Sequence, residues 1–278
     1  MSVHTKRGPR RAIAHERCGL TALAKAAHDA GAPVARVSSS DAGSLSTYTL
    51  RPAPASAGAA REFGARLART HAYSEGPRVF GQAPDGFSDS VGAMGMAPLP
   101  LVAAGSPARR FGEFYAADRL LPYVGDALAN GSFTPADAAL MERLAERLRD
   151  GLFDSPQPAL VRTDAALLHG DLWSGNLLWS QPDSPMEGTG ATGGDGVVGV
   201  LIDPACQGGH AESDLAQLTV FGAPFVEDIY AGYNETSPLA EGWQERVGLH
   251  RLHMFIIHAA LFGGGYGRET VAAAGPYL

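Results

Sequence analysis

The stretch that most constrains this chain is LLHGDLWSGN, residues 167–176, which is too polar for a buried strand and too rich in glycine for a helix. A short apolar run, NLLW, follows it, and a β-branched run, VVGVLID, comes after a connection rich in Gly, Pro and Ser. These runs predict a β-hairpin. Asp171 and Asn176 would precede its first strand, and Asp203 would end its second. We therefore expect the three side chains at one end of the strand pair.

Two carboxylates and an amide oxygen at one end of a hairpin can hold a hard cation. Mg²⁺ suits them because it takes oxygen ligands and keeps waters and substrate phosphates for its remaining positions. The alternative is that Asp171 and Asn176 form an Asx-type turn that only caps a loop. The position of Asp203 at the matching strand end favours the metal site.

Composition excludes several classes of protein. The chain has 278 residues, of which 45% are hydrophobic, enough for one large or two modest domains with real cores. A net charge of −7 argues against a nucleic-acid partner. No apolar run reaches the roughly 20 residues that span a bilayer, and no secretory signal follows the basic N-terminal cluster, so no membrane partner is expected. Cys18 and Cys206 lack disulfide or zinc-site spacing, which favours the reducing cytoplasm.

The chain divides unevenly. Residues 1–52 combine a helical pattern near residues 10–30 with strand-like runs at Val34–Val37 and Leu45–Leu50. From residue 53 onward the pattern is mainly helical, in AAREFGARLARTHA, RRFGEFYAADRLLPYVGDALANG and PADAALMERLAERLRDGLF. Between the first two, FGQAPDGFSDSVGAMGMAPLP predicts a long surface loop. We predict an α+β protein with a small front section and a mostly helical second section.

Three segments, HGDLWSGN, IDPACQGGHAESDLAQLTVFG and PLAEGWQERVGLHRLHMFIIHAALFGGGYG, together resemble the fructosamine (ketosamine) kinase family. The resemblance extends from about Glu62 to Tyr266. It implies a protein-kinase-like, two-lobe fold of the aminoglycoside phosphotransferase type. Residues 1–52 would then form a shortened N-terminal nucleotide-binding lobe, and residues 53–278 a helical C-terminal catalytic and substrate lobe.

The resemblance also implies roles for individual residues. Asp171 would orient the attacking sugar hydroxyl and accept its proton, and Asn176 and Asp203 would hold Mg²⁺ at the phosphates of ATP. Lys6 would contact the α- and β-phosphates, held by Glu16. The alternative is that Lys6 belongs to a solvated basic terminus and Glu16 to a polar helix face. Only five residues precede Lys6, which leaves no room for a Gly-rich loop and predicts weak nucleotide binding, in either a natural short form or a truncated reading frame.

Four further residues are candidates for support or substrate contact. We call HGDLWSGN, residues 169–176, the catalytic loop, and His169 is expected to brace it. Trp173 either stacks on a sugar or anchors the loop in the core. Asp214 either caps a helix or, as in kinase-like folds, supports the backbone of the catalytic loop. Glu212 is expected to reach the substrate, although Ala211 stands where relatives often have Arg.

Two patterns resemble sites but favour simpler interpretations. GTGATG, residues 188–193, matches G-x-G-x-x-G, but no helix follows it, so we interpret it as a flexible hairpin connection. His250, His253 and His258 lie on an apolar helical stretch without a carboxylate at ligand spacing, so we expect packed or surface histidines.

The resemblance implies an ATP- and Mg²⁺-dependent kinase that phosphorylates the sugar part of ketosamines, which leads to deglycation. The alternatives are a small-molecule kinase of the aminoglycoside or choline kinase type, and a non-catalytic kinase-like binding protein. The substrate is left open between a free ketosamine, a glycated protein lysine and a ribulosamine-type adduct. The sequence makes no prediction of the oligomeric state.

Overall fold

A computed structural model describes residues 2–188 and 196–278 of the chain. At the N-terminal end, a three-stranded antiparallel sheet has the order β1-β4-β3, and helix α1 follows its first strand. The bounds are β1 Val3–Arg7, α1 Arg10–His28, β3 Val37–Ser40 and β4 Ser44–Tyr48. In this sheet Lys6 pairs with Leu45, whose side chain is buried. The helix and strands predicted for this section are therefore present.

A second, four-stranded sheet has the order β8-β10-β2-β9. Its strands are β2 Val34–Ala35, β8 Leu177–Ser180, β9 Met186–Glu187 and β10 Val198–Leu201. Strands β8 and β10 are antiparallel, and Leu177 lies opposite Leu201. The predicted pairing of NLLW with VVGVLID is therefore confirmed. The intervening GTGATG segment lies outside the described residues, apart from Gly188.

Strand β2 belongs to the front section of the sequence but pairs in parallel with β10, which comes from the second section. Val34 is fully buried at this junction. The two sections therefore share a sheet, and the division between residues 1–52 and 53–278 stays a prediction.

Most of the remaining structure is helical. The helices are α2 Ala57–His71, α3 Phe111–Phe114, α4 Leu121–Ala129, α5 Pro135–Arg149, α6 Glu212–Gln217, α7 Val226–Thr236, α8 Trp243–Phe262 and α9 Tyr266–Ala274. The Ser56 hydroxyl caps α2 by accepting from the Ala59 N–H at 3.1 Å, and Thr134 caps α5 with Pro135 in the first turn. These helices start where capping residues satisfy their first N–H groups.

Helices α2 and α7 pack closely because glycines face each other across the contact. A Cβ added at Gly64 would lie 2.0 Å from the Ile229 carbonyl oxygen, and one added at Gly232 would lie 1.9 Å from that of Arg61. No larger residue fits at either position. The close contact fixes α2, which carries His71 toward the catalytic loop described below.

Two predictions about the middle of the chain differ from the structure. The segment predicted as one helix consists of α3, a π-helical segment Tyr115–Leu120 and α4, because Pro122 lacks an N–H group and interrupts the regular bonding pattern. The predicted surface loop contains a hairpin, β5 Val91–Met94 and β6 Ala97–Pro100, with Gly95 at its turn. Prolines within β6 had concealed this hairpin from the sequence pattern.

Two short strands, β7 Ala166–Leu168 and β11 Gln207–Gly209, pair antiparallel and bracket the catalytic loop and the hairpin that follows it. Within the described ranges, the helices are too short or too polar to cross a bilayer.

Candidate active site

The backbone of the catalytic loop is held by Asp214, a fully buried residue on α6. Its carboxylate accepts hydrogen bonds from the His169 N–H at 2.7 Å and the Gly170 N–H at 2.9 Å. The His71 ring nitrogen Nε2 lies 3.2 Å from the same carboxylate. Charge-assisted bonds in a buried site are stronger than neutral ones. Asp214 was considered either as a helix cap or as a support for the loop backbone. Helix α6 begins two residues before it, at Glu212, and its contacts are those of loop support.

The Gly in HGD is required by the backbone. Gly170 has φ of +84°, and a Cβ there would lie 2.1 Å from the Ala205 carbonyl oxygen. Any other residue would push the catalytic loop away from the chain that follows Asp203. With glycine at this position, the catalytic loop can lie against the segment around Ala205.

His169 joins the loop to the end of β10. Its Nε2 donates to the Ile202 carbonyl oxygen at 2.7 Å, and its Nδ1 accepts from the Asp171 N–H at 3.2 Å. Burial lowers the pKa of His169, so the ring is neutral, and these partners fix the tautomer. The structure thus places His169 beneath the loop as a brace.

Asp171 and Asn176 are in direct contact. The Asn176 side-chain nitrogen donates to the Asp171 carbonyl oxygen at 2.8 Å and to its carboxylate at 3.1 Å. Burial raises the pKa of Asp171 to about 7; the Asn176 bond opposes that rise, whereas the nearby Asp214 and Asp203 carboxylates add to it. A carboxyl group with such a pKa can both accept and release a proton near neutrality.

Asp203 lies just beyond β10 with φ of +50°, a left-handed conformation that is uncommon outside glycine. Strain of this kind concentrates at functional sites. Its carboxylate lies 3.4 Å from the Lys6 ammonium, which forms a shorter ion pair of 2.8 Å with Glu16 on α1. Burial works against the Lys6 charge, but the two carboxylates outweigh it and raise the pKa of Lys6. Lys6 is therefore held as a cation.

These groups surround one cleft of about 430 Å³. Six of the residues singled out from the sequence line it: Lys6, Glu16, Asp171, Trp173, Asn176 and Asp203. The turn of the β5–β6 hairpin, Gly95 and Met96, contributes to the same cleft. Residues that are far apart in sequence are thereby gathered around one cleft that contains several charged side chains.

A second cleft of about 330 Å³ adjoins the first, and Asp203 lines both. Its walls come from five separate segments and are largely apolar. The segments contribute His4, Ala35, residues 47–50 with Pro52, Leu178 with Trp179, and Ile202 with Asp203. Leu178 is 39% exposed there, although it lies in a strand. The sequence interpretation missed this cleft, since each segment supplies only one to five residues.

The fructosamine kinase family model matches residues 5–275 of the chain. The chain belongs to the fructosamine kinase family. A Thermobifida fusca structure assigned as a fructosamine-3-kinase is 33% identical, with a TM-score of 0.77 covering 99% of this chain and 85% of that one. The APH(2″)-IIa chain of a gentamicin complex, 10% identical with a TM-score of 0.55, shares the fold. The predicted family and the predicted kinase-like fold are confirmed.

Curated relatives in the family include Escherichia coli YniA, assigned as a ketoamine kinase, which is 33% identical over 215 residues. That match covers 77% of this chain and 62% of YniA. The chloroplastic protein-ribulosamine 3-kinase of Arabidopsis thaliana is 30% identical over 169 residues, 60% of this chain and 44% of the relative. This chain therefore spans less than two thirds of the length of these relatives.

Trp173 both lines the cleft and packs against the protein, and stacking on a sugar stays a prediction. Its ring lines the cleft beside Asp171, and it also packs edge-on against Phe221, with ring centroids 5.6 Å apart. A Cβ on Gly175 would come within 2.2 Å of the indole ring, so a glycine is needed for this placement. The ring is thus anchored on one side and open to the cleft on the other.

Glu212 was predicted to contact the substrate, but the structure places its side chain elsewhere. Its carboxylate accepts hydrogen bonds from Arg246 at 2.6 and 2.9 Å and lies 3.4 Å from His250 Nε2. Burial would raise its pKa, but the bonds from His250 and Arg246 outweigh burial and hold the pKa at about 2. The carboxylate is engaged in a buried ion pair outside the residues that line the 430 Å³ cleft.

This ion pair also changes the interpretation of one histidine. Ligand atoms of His210, Glu212 and His250 lie within 4.8 Å of one another, and all three residues are buried. Glu212 is the carboxylate neighbour that had been absent from the sequence pattern around His250. Since the Arg246 guanidinium already neutralises Glu212, the cluster is a buried salt bridge flanked by histidines.

Two supporting residues escaped the sequence interpretation. The Gln217 side chain accepts from the Leu172 N–H at 2.6 Å and donates to the Gly170 carbonyl oxygen at 3.1 Å. His15, next to Glu16 on α1, lies 3.0 Å from the Cys206 carbonyl oxygen and 3.2 Å from backbone atoms of Ala93. The only available signal for Gln217 was its position one helical turn after Asp214. His15 carried no signal, since its partners are distant in sequence.

Proposed function

We propose that this chain is an ATP-dependent kinase that phosphorylates a hydroxyl group on the sugar part of ketosamines. Asp171, Asn176, Asp203 and the Lys6–Glu16 pair all line one cleft, and the proposal rests on this arrangement. These are the positioning and charge-stabilising groups that phosphoryl transfer requires.

Asp171 is the residue that acts on the acceptor. Its carboxylate orients the sugar hydroxyl and takes its proton as the oxygen attacks the γ-phosphate. Asn176 donates a hydrogen bond to this carboxylate, and Asp214 accepts hydrogen bonds from the loop N–H groups just before it, so Asp171 is held in place before the substrate arrives. Trp173 offers an apolar face on which the sugar ring can stack.

The nucleotide occupies both clefts. The apolar walls of the 330 Å³ cleft, including Leu178 and Ile202, suit an adenine ring. The phosphates then extend past Asp203 into the 430 Å³ cleft, where Lys6 neutralises charge on the α- and β-phosphates. Glu16 keeps the Lys6 ammonium in position through their ion pair.

The residues present fit a magnesium ion. Asn176 uses its amide nitrogen to bond Asp171, which leaves its amide oxygen as a ligand, and the Asp203 carboxylate is 46% exposed beside it in the same cleft. Oxygen donors of this kind are the ligands Mg²⁺ prefers. When bound, the ion would neutralise charge on the phosphates during transfer.

A ketosamine is the substrate that the relatives favour, since their names refer to ketoamines and protein-bound ribulosamines. Phosphorylation at the sugar 3-hydroxyl destabilises such an adduct and leads to loss of the sugar from the amine. We propose the cytoplasm as the compartment, because ATP is available there and both cysteines are free thiols.

A phosphorylation assay with Mg-ATP tests this function. The panel contains fructose and ribulose adducts of lysine, the corresponding free sugars, an aminoglycoside and choline. We expect phosphate transfer to a ketosamine in preference to the free sugars. Preferred transfer to the aminoglycoside or choline would reassign the substrate class, and ATP binding without transfer to any compound would indicate a non-catalytic binding protein.

A further inference from the structure

A row of aromatic rings leads away from the cleft at Trp173. Phe221 packs against Trp173, and His258 lies next, with its ring centroid 5.4 Å from that of Phe221. His258 in turn contacts Phe262 at 5.5 Å and Tyr266 at 4.9 Å. We call these five residues, Trp173, Phe221, His258, Phe262 and Tyr266, the aromatic strip.

The strip is exposed as well as contiguous. Phe221 is 43% exposed and Phe262 is 58% exposed, whereas the phenylalanines of the neighbouring core are almost fully buried. Exposed aromatic rings that touch one another form a surface on which another apolar group can pack. The strip thus extends the apolar face of Trp173 from the cleft onto the outer surface of α8.

Its rings are held in place by the fold. His258 Nδ1 lies 2.8 Å from the Met254 carbonyl oxygen one turn earlier on α8, which fixes the ring between its aromatic neighbours. Helix α8 ends at Phe262 because Gly263 and Gly264 both adopt left-handed φ angles, of +68° and +64°. Phe262 therefore stands at a defined helix end, and its position relative to His258 is set by backbone geometry.

The strip begins at the cleft, because Trp173 belongs to both. In the proposed reaction the sugar hydroxyl lies at Asp171, and Trp173 lies beside it in the cleft. The part of a ketosamine attached to the sugar through nitrogen extends away from the reacting hydroxyl. A substituent that leaves the cleft past Trp173 meets Phe221 first and Phe262 last.

We propose that the aromatic strip is a subsite for the amine-derived part of the substrate and selects ketosamines whose amine carries an aromatic group. This inference rests on the proposed function, since it places the sugar at Asp171. Stacking of one aromatic group on the strip is expected to raise kcat/KM by about tenfold over a matched substrate that lacks the ring.

The test compares two ketosamines that differ only by a phenyl group, the fructose adducts of ethylamine and of 2-phenylethylamine. For the wild-type chain we expect kcat/KM to be about tenfold higher for the phenyl compound. Phe262→Ala is expected to reduce this ratio to about twofold or less, and Phe262→Tyr to restore it. Phe225→Ala is the matched control, because Phe225 is 44% exposed but lies at the start of α7. It should keep the wild-type ratio.

The outcomes separate the two proposals. Equal kcat/KM for both ketosamines in the wild-type chain would overturn the subsite while leaving the kinase function intact. A wild-type preference that persists unchanged in Phe262→Ala would also overturn it. If neither ketosamine is phosphorylated, the proposed function fails, and the subsite fails with it.

Discussion

The two sides of the candidate active site are built differently. On the acceptor side, Asp214 and His169 are both fully buried, and their hydrogen bonds fix the catalytic loop from below. On the nucleotide side, the Lys6 and Asp203 side chains are 43% and 46% exposed, and the Lys6 ammonium lies 3.4 Å from the Asp203 carboxylate and 2.8 Å from that of Glu16. The acceptor side is thus fixed before substrates arrive, whereas the nucleotide side depends on side chains that water and salt can reach.

This difference predicts different kinetic consequences. Changes on the acceptor side should lower kcat, because they disturb a group that acts in the transition state. Changes on the nucleotide side should act mainly on the affinity for Mg-ATP.

Asp171→Asn should give the largest effect. Asn keeps the shape and the contact with Asn176 but cannot accept a proton, so we expect kcat to fall by about 10³-fold. Steady-state kinetics with a ketosamine measures the loss, and the thermal unfolding midpoint serves as a control for the fold. A variant with near wild-type kcat would remove Asp171 from the mechanism.

Asp203→Ala should weaken Mg-dependent ATP binding by about 100-fold, and Asn176→Ala should weaken it less. An ionised carboxylate contributes more to a hard cation than a neutral amide does. Titration calorimetry with ATP, in the presence and absence of Mg²⁺, measures both variants. Wild-type Mg-dependent binding in Asp203→Ala would indicate that Asp203 serves only as a strand-end turn residue.

Asp214→Asn tests the buried support of the catalytic loop. The neutral amide has one accepting oxygen for two loop N–H groups, so the loop loosens, and we expect kcat to fall by about 10- to 100-fold. The KM for ATP should change by less than about threefold, because Lys6 and Asp203 remain in place. A parallel rise in the KM for ATP would show that the two sides of the site are not separable.

Lys6→Ala tests the nucleotide side. Loss of one charge-assisted bond to phosphate should raise the KM for ATP by about tenfold or more, with a smaller effect on kcat. Arg10→Ala and Arg11→Ala are matched controls, since both remove an exposed positive charge from the start of α1. If all three variants behave alike, Lys6 acts only through general charge.

The smallest effect concerns stability and pH. Burial lowers the pKa of His210 from its ordinary 6.5 to about 4 in the folded chain. The unfolded chain therefore binds more protons below pH 6.5, and stability should fall as the pH drops from about 6.5 to about 4. The Glu212 pKa, about 2 instead of 4.5, extends the loss from about pH 4.5 downward.

Urea unfolding at several pH values between 7.5 and 4.5 measures this loss. One titrating histidine contributes a slope of at most about 1.4 kcal/mol per pH unit. His210→Asn should reduce the slope by up to that amount, because the replacement does not titrate. The same slope in both proteins would mean that folding does not lower the pKa of His210.

The sequence predicted the residues at the hairpin better than the apolar cleft. Asp171, Asn176 and Asp203 flank the two strands of one hairpin, so local patterns were enough to place them together. The apolar cleft beside them is assembled from five segments, from His4 to Asp203, and no single segment has a recognisable pattern. Such a surface exists only after folding.

Glu212 shows the same limit for a single residue. Its partner Arg246 is 34 positions later, on α8, and only the packing of α6 against α8 brings the two together. A charged residue close to a catalytic motif was therefore assigned to the substrate, although its carboxylate is held in a buried ion pair. The π-helical segment Tyr115–Leu120 was likewise beyond a pattern that assumes 3.6 residues per turn.

The separation between the two sides can be measured in one variant. Titration calorimetry of Asp171→Asn with Mg-ATP, together with its rate of phosphate transfer to a ketosamine, reports both sides at once. We predict a Kd for Mg-ATP within about threefold of the wild-type value and transfer reduced by about 10³-fold. Retained transfer, or a loss of Mg-ATP binding comparable to the loss of transfer, would contradict the assignment of Asp171 to the acceptor.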